Sequence, residues 1–189
     1  MTAFEFFTVL LSIVVSLGVA SLLTAVSRLI QESHRVRFSL TYALWVVAIF
    51  NLQITLWLKA FGYRDVFQLH VSTSIPPLIL AIIAFFACAL ATPPIPDEGP
   101  VDLRDFHTEQ VRKYGFAMAA FFIAALIQAA LMDPVVDLTG RIIDTVFQVI
   151  YIALFSLAAV YRKVRWLQPL VPIVFIIASG IYFTQLIGL

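Results

Sequence analysis

The sequence predicts an all-α, polytopic integral membrane protein, a bundle of six transmembrane helices forming one domain over residues 1–189. Three observations predict it. Apolar residues make up 62% of the chain, and mean hydropathy is +1.00. Only 12% of residues are charged, about half the share of a soluble domain. Those charges gather in short stretches between apolar runs, each about the ~20 residues that cross a bilayer.

The first span, 4–27, carries no charge between Glu5 and Arg28. Ser12, Ser16, Ala20 and Thr24 recur every four residues, so they share a face. Small residues admit a close neighbour, and this face is expected to be the packed one. Gly18-Val19-Ala20 resembles a leader cleavage site. No Lys or Arg precedes the apolar run, which continues beyond Ala20, so a permanent span is expected.

The second span, 38–61, has Tyr42 and Trp45 toward one end and Trp57 toward the other, placed as interfacial rings. A turn at Tyr63-Arg64-Asp65 and a short interfacial piece, 67–73, lead to the third span, 74–92. Pro76-Pro77 fall in its first turn, where missing N–H donors cost least. Ala81, Ala84, Cys88 and Ala91 give it a small face. Pro93-Pro94 stop it. The longest polar stretch follows, first extended, then a short helix capped by Asp102 or Asp105.

The fourth span, 114–132, pairs Ala120 with Ala124 and Ala125 with Ala129, and ends at Asp133-Pro134. Asp137 to Gly140 reads as a turn. The fifth span, 141–161, is polar in its first half. The sixth is 169–188. The third and sixth both have prolines near the start and small residues midway. A weak 3+3 inverted repeat is one account of that likeness; shared membrane composition is the other.

Positive charge sets the orientation. Arg28, Arg35, Arg37, Arg104, Arg112, Lys113, Arg162, Lys163 and Arg165 adjoin the loops after spans one, three and five. Lys59, Arg64 and Arg141 lie on the other side. Lys/Arg excess marks the cytoplasmic face. A multi-pass protein of a bacterial plasma (inner) membrane, with both termini extracytoplasmic, is expected.

Several function classes are set aside. A net charge of +1 supplies no nucleic-acid surface. Cys88 is the lone cysteine and reads as packing, not redox chemistry. His34, His70 and His107 fall in expected loops or interfaces without i, i+4 pairing inside a span, so no metal or haem site is expected. No phosphate loop or nucleophile–base pair occurs. The chain is expected to be no enzyme and to hold no cofactor. It also has no voltage-sensor stripe or selectivity-filter run.

Polar groups inside spans are the default place to look for function, and they gather toward the outer half. Glu5 lies on the first span. Asn51, Thr55 and Lys59 share a face of the second, while Asp144 and Gln148 share one on the fifth, with Arg141 and Tyr151. Tyr182 lies on the sixth with Ser179 and Gln185. The leading expectation is a small channel or transporter. Glu5, Asn51, Thr55, Lys59, Asp144, Gln148 and Tyr182 would then line an outward polar site for an ion or small solute. The alternative is a non-catalytic membrane module, such as a sensor, regulatory or assembly subunit. In that reading the same groups snorkel to water or bridge helices. Arg162, Lys163 and Arg165 either hold anionic lipid headgroups or only set topology. The bilayer, further copies of the chain and another membrane protein are the partners considered.

Overall fold

The computed structural model describes residues 3–62, 75–94, 99–132 and 138–187. Among these, six helices form: α1 (Ala3–Gln31), α2 (Leu40–Gly62), α3 (Ile75–Ala91), α4 (Leu103–Met132), α5 (Leu138–Val160) and α6 (Leu167–Ile187). Stretches within α1, α2, α4 and α5 are long and apolar enough to cross a membrane; α3 and α6 are shorter apolar helices. The molecule is therefore an all-helical, membrane-embedded bundle.

Cross-helix pairings fix the directions. Trp57 donates Nε1–H to Ser12 Oγ at 3.3 Å, bringing the end of α2 to the start of α1. Asn51 Nδ2 donates to Ser179 Oγ at 2.9 Å, and Trp45 Nε1 to the Gln168 carbonyl at 2.9 Å, so α2 and α6 run in parallel. Helices α1, α3 and α5 thus start at one end, called here the terminal end. Helices α2, α4 and α6 start at the other, basic end.

Helix α1 packs on α3 and α2, and α5 on α4 and α6. The small face of α3 is wholly inside: Ala81, Ala84, Ala87 and Cys88 are fully buried. On α1 the expectation is reversed. Ser16, Ala20 and Thr24 are exposed, whereas Leu11, Val15, Gly18 and Leu22 face the bundle. Larger side chains enter from α1 because α3 supplies the small ones. A Cβ on Gly18 would meet Gln53 Nε2 at 2.8 Å and Cys88 Sγ at 3.3 Å, so only hydrogen fits without a shift.

Tyr42 and Trp45 are core residues, 3% and 0% exposed, rather than interfacial rings. The Tyr42 hydroxyl donates to the Ala91 carbonyl at 2.9 Å, which ties α2 to the end of α3. Trp45 opens an aromatic cluster, with ring centroids 5.2 Å from Tyr114 and 5.6 Å from Phe155. Phe122 and Phe175 extend it across α4 and α6. Such pairs add about 0.5–1.5 kcal/mol each beyond area burial.

The polar stretch before the fourth span is not a separate short helix. It is the first part of α4, continuous from Leu103. Asp102 is its cap, accepting from the amides of Arg104 at 2.9 Å and Asp105 at 3.3 Å. Just before it, Val36-Arg37 and Val101-Asp102 pair as two short parallel strands, β1 and β2. Arg37 Nη1 sits 3.7 Å from Asp102 Oδ2. Leu138 to Gly140 belong to the first turn of α5, not to a turn. The expected turn at Tyr63-Arg64-Asp65, the piece 67–73, and Asp133-Pro134 lie outside the described residues.

Candidate functional site

At the terminal end the structure joins several expected site residues. The α2 rhythm puts Asn51, Thr55 and Lys59 along one strip facing α6. Thr55 Oγ1 donates to the Asn51 carbonyl at 2.8 Å and lies 3.1 Å from Asn51 Oδ1. Asn51 in turn donates to Ser179, whose hydroxyl donates to the Ile176 carbonyl at 2.9 Å. Lys59 Nζ stands 4.8 Å from the Tyr182 ring centroid, a cation–π contact. The Asp144 carboxylate is close enough to act electrostatically on the Tyr182 phenol.

The other expected residues lie on separate helices. Glu5 is on α1, which packs on α2 and α3, while Asp144 is exposed on α5, which packs on α4 and α6. Arg141 reaches the Ala129 carbonyl of α4 at 3.4 Å. The oxygens of Gln148 and Gln128 are buried without a hydrogen-bond partner.

The basic end has a different construction. A cavity of about 510 Å³ opens there. Ser39, which accepts from the Tyr42 amide at 3.4 Å to cap α2, lies on its wall with Thr41. The first turns of α4 contribute Arg104, Asp105, His107 and Thr108. Arg162, Lys163 and Arg165 come from the link between α5 and α6, and Gln168 from the first turn of α6. Among the described residues, four cationic side chains thus meet one carboxylate. Among the described residues none of these four cations forms an ion pair.

The deepest lining groups are His107 and Gln168, each 4% exposed. His107 Nδ1 is hydrogen-bonded to the Tyr114 hydroxyl, and Trp45 stands beside the ring at a centroid distance of 6.0 Å. Gln168 Nε2 donates to the Ala158 carbonyl at 3.0 Å and the Tyr161 carbonyl at 3.3 Å, closing the end of α5. The remaining atoms, His107 Nε2 and Gln168 Oε1, are buried without a well-formed hydrogen bond. The His107 and Gln168 side chains nonetheless lie close together.

The expectation that His107 lies in a loop or interface is therefore corrected: it is a buried helical residue. Its signal was present in the sequence. Leu103, His107, Val111, Tyr114 and Met118 follow steps of four, four, three and four, one face of a helix, and all five are buried. His34 is exposed near Glu32, and His70 lies outside the described residues. Among the described residues no three His, Cys, Asp or Glu gather as a metal site.

Compared with known proteins, the chain matches no family model, no curated protein and no solved structure.

Proposed function

We propose that this chain is a six-span membrane protein with both termini extracytoplasmic. It works as a non-catalytic binding module, a sensor or regulatory subunit, whose working surface is the basic end. The 17 residues of α3 rise about 25 Å, a little short of a ~30 Å hydrocarbon core. Helix α3 packs against α1, α2 and α4, and its outward residues Ile79, Ile82 and Phe86 are apolar; a mismatch of a few ångström costs little. The Lys/Arg excess supports a cytoplasmic basic end.

One contrast carries the reading. Asn51 bridges to Ser179 across α2 and α6, with Thr55 hydrogen-bonded to it within α2, while at the basic end Arg104, Arg162, Lys163 and Arg165 border an open volume and form no ion pair among the described residues. Reconstitution into proteoliposomes tests it. The expected result is no flux of protons, cations or anions above that of empty vesicles.

A channel or transporter is the second reading, favoured by the Gln128 and Gln148 oxygens, buried without a hydrogen-bond partner among the described residues, and by Asp144 within electrostatic reach of Tyr182. A flux abolished by Asp144→Asn in a folded protein would establish it and overturn the first.

A further inference from the structure

We propose that the basic-end pocket binds a polyol phosphate: a phosphate ester whose organic part carries hydroxyl groups, presented as a lipid headgroup or as a soluble ester. The inference rests on reading the basic end as the working end. It is tested by binding, not by flux, so the two can fail separately.

Charge is the first argument. Arg104, Arg162, Lys163 and Arg165 outnumber Asp105 around the cavity. Arginine forks match phosphate oxygens two at a time. Helix direction is the second. Because α2, α4 and α6 all begin here, three positive helix ends point at the same volume. Ser39 and Asp102 already take amides of α2 and α4, so the helices supply field more than free donors.

The floor is an independent observation, and it selects the rest of the ligand. His107 and Gln168 are held by Tyr114 and by the end of α5, yet His107 Nε2 and Gln168 Oε1, although their side chains lie close together, form no well-aligned hydrogen bond with each other or with a third described group. Leaving buried polar atoms unmet is costly. Gln168 Oε1 accepts only, so a fully ionised phosphate cannot satisfy it. A hydroxyl both donates and accepts. The ligand that meets rim and floor together carries its negative charge outward and a hydroxyl inward. About 510 Å³ exceeds the need of bare phosphate and falls within the roughly 300–1,000 Å³ of small-molecule pockets.

The full chain in phosphatidylcholine nanodiscs would be titrated calorimetrically with glycerol 3-phosphate, inorganic phosphate and glycerol at one fixed salt concentration. In a second arm, nanodiscs containing phosphatidylglycerol would be examined for retained lipid by native mass spectrometry. Binding of glycerol 3-phosphate alone assigns a soluble ester, and retention of phosphatidylglycerol alone assigns a headgroup. Either is expected to weaken about tenfold or more in the double variant Arg162→Gln, Arg165→Gln, at unchanged melting temperature of the free protein. Where glycerol 3-phosphate binds, inorganic phosphate is expected to bind at least about tenfold more weakly. No binding in either arm, or equal binding by the double variant, overturns the proposal. Equal affinity for inorganic phosphate overturns the hydroxyl assignment. Both arginines are exposed, so their replacement leaves the folded core intact.

Discussion

At the terminal end Asn51 donates its side-chain amide to Ser179, and the Thr55 hydroxyl is shared between the Asn51 backbone carbonyl and Oδ1. At the basic end His107 and Gln168 each keep one polar atom without a well-aligned hydrogen bond, beside a cavity of about 510 Å³. The terminal end holds the residues whose spacing looks most like a membrane-embedded polar site. The basic end looks, in sequence, like loops that set topology. The difference teaches that a polar residue in a membrane helix is informative only once its partners are known. A satisfied cluster is a clamp, and an unsatisfied one is a request for a ligand.

The largest effect that would sharpen this contrast is at Trp45. Trp45→Ala empties a fully buried site, removes a hydrogen bond to Gln168 and unseats Tyr114 and Phe155. A loss of about 3–5 kcal/mol is expected, read as a collapse of the melting transition in detergent.

Next comes the middle of the bundle. Gly18→Ala presses a methyl group on Gln53 and Cys88 and is expected to cost about 1–3 kcal/mol. In a Gln53→Ala background the same change is expected to be close to neutral, which a double-mutant cycle measures as coupling.

A smaller effect is expected at the terminal end itself. Asn51→Ala removes one cross-helix hydrogen bond, worth about 0.6–2 kcal/mol. A loss as large as that of Trp45→Ala would break the comparison, because the terminal end would then be more than a clamp.

The smallest effect is electrostatic. Asp102 is held below its ordinary value of 3.8, first by the Arg104 amide, with the Asp105 amide and the charges of Arg37 and Arg104 adding to it. A carboxylate held low contributes stability above its unfolded pKa and loses it as pH falls through the folded one. Melting temperature is therefore expected to drop below about pH 4, and Asp102→Asn to flatten that acid limb.

Much of the fold was legible. Apolar runs located all six helices, and the spacing of Ala81, Ala84, Cys88 and Ala91 identified the buried face of α3. On α1 the same logic chose the wrong face. Lipid and protein are both apolar, so hydropathy does not separate the two sides, and a small-residue stripe is needed on only one of two packed helices. The strip of Asn51, Thr55 and Lys59 was legible from helical spacing, whereas its meeting with Tyr182 depends on which helices are neighbours, which spacing within one helix does not give. The basic-end pocket was not, although Arg162, Lys163 and Arg165 were candidates for an anionic headgroup. Its walls come from three segments far apart in sequence, and His107 sits in a run of polar residues whose helical period is easily read as a loop.

Thiol accessibility tests the central claim most directly. Native Cys88 is fully buried and forms a silent background. Single cysteines at Thr108, on the pocket wall, and at Ser179, inside the clamp, would be exposed to a charged thiol reagent in detergent. The account predicts rapid labelling of Thr108→Cys and protection of Ser179→Cys. Labelling of Ser179→Cys as fast as Thr108→Cys would show the terminal end to be open and would contradict it.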